Sequence, residues 1–311
     1  MARYLGKRIA ISIVTLFVIL LILFLLLQYM PGSPFNDAKL SQEQVAVLKE
    51  KYGLDQPVII QFFRYIGNMM RGDMGVSYSI SANTPITELL ANRFPLTLKI
   101  GFLSMIFGTV MGIALGLLAA FFKNKLLRAV YSILTLLGVA VPSYLFAMFF
   151  SYVLGFKTKL LPLLYDYREP GATLVMPIMA LSIMVMAVIA RFTKAEAQDV
   201  MKSDYVMLAK CQGMSSGTIM VKYILRNSLI QVITVMAGLL VGLLTGSLVI
   251  EQMFSIPGVG ALLTNAISNN DYNVVIALSF VYSALYIVVM LILDILYCVI
   301  DPRVRLGGKA E

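Results

Sequence analysis

Residues 191–227 read RFTKAEAQDVMKSDYVMLAKCQGMSSGTIMVKYILRN, a polar interruption between two long apolar segments. Six basic residues (Arg191, Lys194, Lys202, Lys210, Lys222, Arg226) outnumber three acids (Glu196, Asp199, Asp204). A short loop this basic beside apolar spans belongs on the cytoplasmic side by the positive-inside rule. Val200, Met201, Tyr205, Leu208 and Ala209 recur at three- and four-residue spacing, which places them on one face of a helix. Gly213 is the residue type that most easily takes the left-handed conformation ending a helix. Ser215 or Ser216 can cap a second helix, whose apolar stripe is Ile219, Met220, Tyr223 and Ile224. The stretch predicts helix, glycine turn, helix, with apolar side chains offered to the cytosol. Such a face, ringed by charge, marks either a protein contact or an amphipathic segment lying on lipid.

The surrounding chain is far too apolar for a soluble domain. Of its 311 residues 59% are hydrophobic and 13% charged, and the mean hydropathy is +0.87, which places it among multi-span membrane proteins. The net charge of +9 sits in short loops between apolar runs, so it orients spans and does not point to nucleic acid. Cys211 and Cys298 both fall at the predicted cytoplasmic side, where free thiols are expected. The sequence has no histidine, which removes the commonest general base and metal ligand. No phosphate-binding loop occurs either, since Gly307-Gly308-Lys309 lacks both the leading glycine and the hydroxyl. No catalytic residue, metal site or cofactor is therefore expected in this chain.

Read outward from the loop, the apolar runs fall at 9–27, 94–122, 129–155, 173–192, 228–250 and 273–300. Each is long enough to cross a bilayer. The first follows Arg3, Lys7 and Arg8 and is too long for a signal peptide, with no small-residue cleavage site. Met30-Pro31-Gly32-Ser33-Pro34-Phe35 ends it abruptly. Residues 31–93 are polar enough for a small extracytoplasmic domain. In it Ser41 and Gln44 predict a capped helix through Val45, Leu48 and Tyr52, and Pro57 starts another whose apolar side is Ile59, Ile60, Phe63, Ile66 and Met70. Gly108, Gly112 and Gly116 recur every fourth residue, as do Gly238, Gly242 and Gly246. Two such stripes predict that spans two and five pack closely or cross near a pathway. Pro142 predicts a kink in span three. Asp294 is an acid inside span six, about two helical turns from the inner surface, where pairing with a cytoplasmic base is the plainer role.

The motifs at the junctions resemble one family. Asp204 to Gly213 is similar to the coupling loop of ABC-importer permeases in its peptide-transporter form, Tyr-Val-x-x-Ala-x-x-x-Gly. Leu225-Arg226-Asn227-Ser228-Leu229-Ile230 is similar to that branch's Leu-Arg-Asn-Ala-Leu-Ile, although Gln231 stands where proline is usual. Glu251-Gln252-Met253-Phe254-Ser255-Ile256-Pro257-Gly258-Val259-Gly260, followed by Asp271-Tyr272, resembles the outer-loop signature, in which proline and glycines let the backbone turn back. Pro31-Gly32-Ser33-Pro34-Phe35 resembles the oligopeptide type within the branch, and Asp301-Pro302-Arg303 matches the family's ending.

This resemblance implies an all-α membrane protein, six transmembrane helices of the type I ABC importer permease fold. It divides into the first helix with its basic N-terminus (1–30), the extracytoplasmic domain (31–93), the permease domain (94–300) with a coupling loop at 193–227, and a cytoplasmic tail (301–311). It implies a subunit of an ATP-driven, binding-protein-dependent oligopeptide importer in a prokaryotic cell membrane, both termini cytoplasmic, with dipeptide or nickel transport as the alternative. The expected partners are a second homologous permease, two cytoplasmic ATPases that bind ATP and magnesium, and an extracytoplasmic peptide-binding protein. Tyr205, Leu208, Ala209 and Gly213 are expected to couple to the ATPases. Gly108, Gly112, Gly116, Pro142, Gly238, Gly242 and Gly246 would serve packing or the pathway, and Glu251, Phe254, Pro257, Gly258 and Gly260 the outer mouth. Outside the family, the residues also allow a membrane scaffold that docks a signalling ATPase. A proton-coupled carrier is disfavoured, with Asp294 as its lone plausible proton site.

Overall fold

The computed structural model describes residues 2–29, 47, 50 and 55–300. Helices α1 (Ala2–Tyr29), α2 (Val58–Met70), α3 (Ile86–Ala120), α4 (Lys125–Ala140) and α5 (Ser143–Phe150) come first, α5 running on into a π segment, Ser151–Lys157. Then come α6 (Pro170–Thr173), α7 (Val175–Val200), α8 (Asp204–Cys211) and α9 (Ser216–Ile219). A second π segment, Met220–Leu225, joins α9 to α10 (Arg226–Gly246), and α11 (Leu248–Met253), α12 (Val259–Ser268) and α13 (Tyr272–Ile300) follow. Among the described residues there is no strand, only a bridge between Val76 and Pro85. The helix read from Ser41 and Gln44 lies outside the described residues except at Val47 and Glu50, which are helical. The tail 301–311 and the side chains of Asp294 and Cys298 also lie outside them.

Four stretches are long and apolar enough to cross a membrane: Ile9–Tyr29, Ile86–Ala120, Pro170–Val200 and Tyr272–Ile292. A fifth arises if α4 and α5 with its π segment are two arms of one span. They meet at 104°, so the kink expected at Pro142 is a break. Val141, as the residue before a proline, is held extended (φ −86°, ψ 125°), and Pro142 itself sits at φ −58°, ψ 141°. Two successive non-helical residues redirect the chain where one lost hydrogen bond would only bend it. The segment read as span five is α10, 21 residues long, with several of its side chains outside the described residues.

The chain forms two compact units, Met1–Leu96 with Pro257–Leu291, and Thr97–Ile256 with Ile292–Glu311. In the first, α2 packs through Phe62, which meets Phe17 and Phe24 of α1 edge-on at centroid distances of 5.4 and 5.5 Å. Gln61, Phe62 and Met69 are its buried residues, whereas Ile59, Ile60, Phe63 and Met70 are exposed. Of the apolar side expected from spacing, only Ile66 packs against the core. Gln61, Arg64 and Asn68 share one polar face of the helix, yet Gln61 is buried, because Phe62 beside it is drawn to the aromatic partners on α1.

In the second unit α7 is the central helix, with α4, α5 and α10 packed on it. The glycine stripe of α3 also faces α7. A Cβ at Gly108 would lie 2.7 Å from Val185 Cβ, one at Gly112 would lie 2.8 Å from Ile189 Cβ, and one at Gly116 would lie 2.6 Å from the Ala190 carbonyl oxygen. From α4, Gly138 approaches Ala187 in the same way, at 2.6 Å. A Cβ at Gly238 or Gly242 would meet nothing within 4 Å, and Gly246 has its surroundings outside the described residues. The stripe of span two thus seats on span four. Small residues permit a close approach without naming the partner.

Candidate functional site

The 191–227 stretch folds as helix, glycine turn, helix. Helix α7 ends at Val200, and α8 starts after Ser203 and ends at Cys211. Gly213, at φ +75°, closes it: its N–H donates to the Lys210 carbonyl, and the Met214 N–H donates to the Ala209 carbonyl. This is the paired bonding of a Schellman cap. Ser215 caps α9, its Oγ accepting from the Thr218 N–H at 3.3 Å.

The apolar stripe of this pair is divided. Ala209 and Val206 turn inward and pack with Leu117, Ala197, Val200, Ile219 and Ile224. Tyr205, Met207 and Leu208 stay outward, exposed by 43, 62 and 59%, with Val221 at 59%. Residue 209 therefore holds α8 against its own chain, and the face open to a partner is one step around the helix. Tyr205 stacks on Tyr223 at a centroid distance of 6.3 Å, and its hydroxyl accepts from Asn227 Nδ2 at 3.4 Å. That fixes the ring's direction. Lys202, Lys210 and Lys222 surround the patch in exposed positions.

The 247–260 turn is built around buried Glu251. Its Oε1 accepts from Thr97 Oγ1 and Ser247 Oγ, each at 2.8 Å, and its carbonyl accepts from the Ile256 N–H at 2.7 Å. Phe254 is 1% exposed, and its carbonyl accepts from the Tyr165 N–H. The left-handed residue here is Ser255, at φ 53°, not a glycine. Gly258 instead precedes α12 in an extended conformation, Pro257 stands before it, and Gly260 is buried in the helix. Proline and glycines were expected to make the turn; they start a helix and let it pack.

A third site, the second built on a carboxylate, had no sequence signal beyond the Asp-Tyr pair. In the first unit Asp271, fully buried, accepts from Ser77 Oγ at 2.5 Å and from the N–H groups of Tyr78, Ser79 and Ile80 at 3.0–3.2 Å. Asn273 adds a bond from Nδ2 to the Val76 carbonyl at 2.7 Å. Burial, followed by the nearby Tyr78, Asp73 and Asp271, raises the Tyr65 phenol far above its ordinary pKa. It stays a neutral donor to the Asn273 carbonyl, at 3.2 Å. These contacts join segments nearly two hundred residues apart, which no local pattern reveals.

None of these sites brings together a nucleophile and a base, and no metal-binding cluster of histidine, cysteine or carboxylates occurs among the described residues. Residues 112–306 match the family described as the inner membrane component of binding-protein-dependent transport systems, and residues 1–101 match its N-terminal counterpart. The chain belongs to this family. Members are membrane components of transport systems and not enzymes; the energy comes from ATPase subunits. The dipeptide transport system permease protein DppB of Lactococcus lactis subsp. cremoris is 39% identical over 306 residues, 98% of this chain and 100% of the relative. The oligopeptide transport system permease protein OppB of Haemophilus influenzae is 33% identical, again over 98 and 100%. A solved amino acid ABC transporter, crystallised with histidines, superimposes with a TM-score of 0.53 at 16% identity, over 67% of this chain and 92% of that one. At that identity the likeness carries the fold alone, which is that of an ABC transporter permease.

Proposed function

We propose that the chain is one permease subunit of a peptide importer, forming half of a translocation pathway with a second, homologous permease. End-to-end likeness to a dipeptide and an oligopeptide permease carries this reading. Two cytoplasmic ATPases that bind ATP and magnesium would drive it, and an extracytoplasmic binding protein would deliver the peptide. The Pro31-Gly32-Ser33-Pro34-Phe35 run supports oligopeptides, whereas the 39% identity to a dipeptide permease supports the shorter substrate. The complex reconstituted in proteoliposomes with its binding protein should take up labelled pentapeptide only with ATP inside the compartment that faces the ATPases. Uptake of dipeptide alone selects the second reading; ATP-dependent uptake of neither rejects peptide import.

The coupling surface is proposed to be Tyr205, Met207 and Leu208, because these apolar side chains are exposed on a helix that its own chain holds rigidly from behind. Truncating an interface anchor of this kind costs on the order of 2 kcal/mol. Tyr205→Ala with Leu208→Ala should therefore strip the ATPases from the complex on purification. In a Cys298→Ser background, Cys211, exposed on the same helix, should react with an impermeant maleimide only from the cytoplasmic side. Assembly with the ATPases should slow that reaction. Labelling of Cys211 from outside intact cells would reverse the proposed six-span topology.

A further inference from the structure

Beyond the transport reading, and independently of which substrate is carried, the first unit holds a cavity of about 390 Å³. Its lining joins two kinds of surface. Phe24 and Leu27 come from the last turns of the apolar stretch Ile9–Tyr29, and Ile276 comes from the first turn of Tyr272–Ile292. Arg64, Asn68 and Asp73 come from α2 and the turn after it, and α2 packs alongside α1 through Phe62 and Tyr65. A cavity lined at once by the end turns of two apolar spans and by charged side chains matches the mixed chemistry of the level where lipid headgroups meet acyl chains. Tyrosines are favoured at that level, and Tyr65, Tyr78 and Tyr272 all line this cavity.

The charges narrow the ligand. The wall carries one cation, Arg64, and one anion, Asp73, so it offers partners to both signs at once. Arg64 uses one guanidinium nitrogen on Gln56 Oε1, at 2.9 Å, and its fork of donors suits a phosphate. Asp73 accepts the Gly75 N–H on Oδ1, at 2.8 Å. The opposite wall is held in place by the Tyr65 and Asn273 bonds already described, so the cavity is built by the fold. A volume of this size takes a headgroup and the first part of its chains, not a whole lipid.

We infer that this cavity binds one phospholipid whose headgroup carries an amine, phosphate on Arg64 and ammonium on Asp73, with its chains running past Phe24, Leu27 and Ile276. The test uses the assembled complex in nanodiscs containing equal phosphatidylethanolamine and phosphatidylglycerol, extracted into mild detergent. Native mass spectrometry then counts the retained lipid. One phosphatidylethanolamine should remain, and Arg64→Glu should release it. Asp73→Asn keeps an oxygen for the Gly75 N–H but loses the charge. It should shift retention towards phosphatidylglycerol by roughly fivefold, the worth of a partly exposed ion pair. A change of preference, unlike a simple loss, cannot come from misfolding. Retention of phosphatidylglycerol by the unsubstituted complex, indifference to both substitutions, or displacement of the lipid by a zwitterionic dipeptide would each overturn the assignment. Loss of retention only when the binding protein is added would also overturn it, since the cavity would then be part of that protein's docking surface.

Discussion

Gly116→Ala should lower the thermal stability of the purified chain, although alanine is the better helix former. Exchanging glycine for alanine within a helix gains about 1 kcal/mol in propensity. At Gly116 the new methyl would lie 2.6 Å from the Ala190 carbonyl oxygen, 2.7 Å from Thr193 Cβ and 3.1 Å from the Lys194 N. Two of those three atoms are backbone, so α3 and α7 must part to admit it. Overpacking of this kind costs about 1–3 kcal/mol, and a larger side chain, as in Gly116→Leu, should prevent the two helices from packing and abolish transport. Gly238→Ala is the matched comparison, because its methyl meets nothing within 4 Å; it should leave the isolated chain as stable or slightly more so. Equal melting temperatures for Gly116→Ala and Gly238→Ala, measured in the same detergent, would show that the stripe of α3 does not seat on α7.

Asp271→Ala should have the larger effect on the first unit. One carboxylate there satisfies the Ser77 hydroxyl and three consecutive backbone N–H groups. Ser77 is fully buried, and its own Oγ accepts from the Ser81 N–H, so the turn is organised from the acid outward. Each buried donor left without its acceptor costs about 1–3 kcal/mol; even with partial rescue by water the loss should be on the order of 3 kcal/mol. Asp271→Asn should be milder, because Ser77 and the three N–H groups all meet Oδ2, which an amide oxygen can replace, while Oδ1 only shares the Tyr78 N–H at 3.2 Å. Limited proteolysis between residues 73 and 85 is the direct readout. Unchanged cleavage and unchanged uptake in both variants would mean that the turn holds its shape without the acid.

Much of the candidate site at 191–227 was legible because its signals are local. A glycine at the end of an eight-residue helix and a serine ahead of the next one specify caps through bonds spanning three to five residues. Both are found, at Gly213 and Ser215. What the periodicity could not divide was the stripe itself. Ala209 and Leu208 both satisfy the spacing, and only the presence of Leu117, Ile219 and Ile224 on one side turns Ala209 inward and leaves Leu208 in the open. The same holds for α2, where Gln61 lies on the polar face by spacing yet is buried beside Phe62, which meets Phe17 and Phe24.

The sequence by itself determined that this is a helical membrane protein, that its basic loop forms a capped helix pair, and that its motifs are those of a binding-protein-dependent permease. These follow from composition, apolar run length and short-range hydrogen bonding, all of which are properties of contiguous residues. Tertiary structure alone decided which helix the glycines of α3 approach, how far the chain turns at Pro142, and what Glu251 and Asp271 hold. A small residue grants close approach to any neighbour, a proline removes a hydrogen bond without setting an angle, and a buried carboxylate is satisfied by donors wherever the fold delivers them. Ser77 and Asp271 meet across 194 positions; the chemistry of each is written locally, and their meeting depends on the packing of everything between.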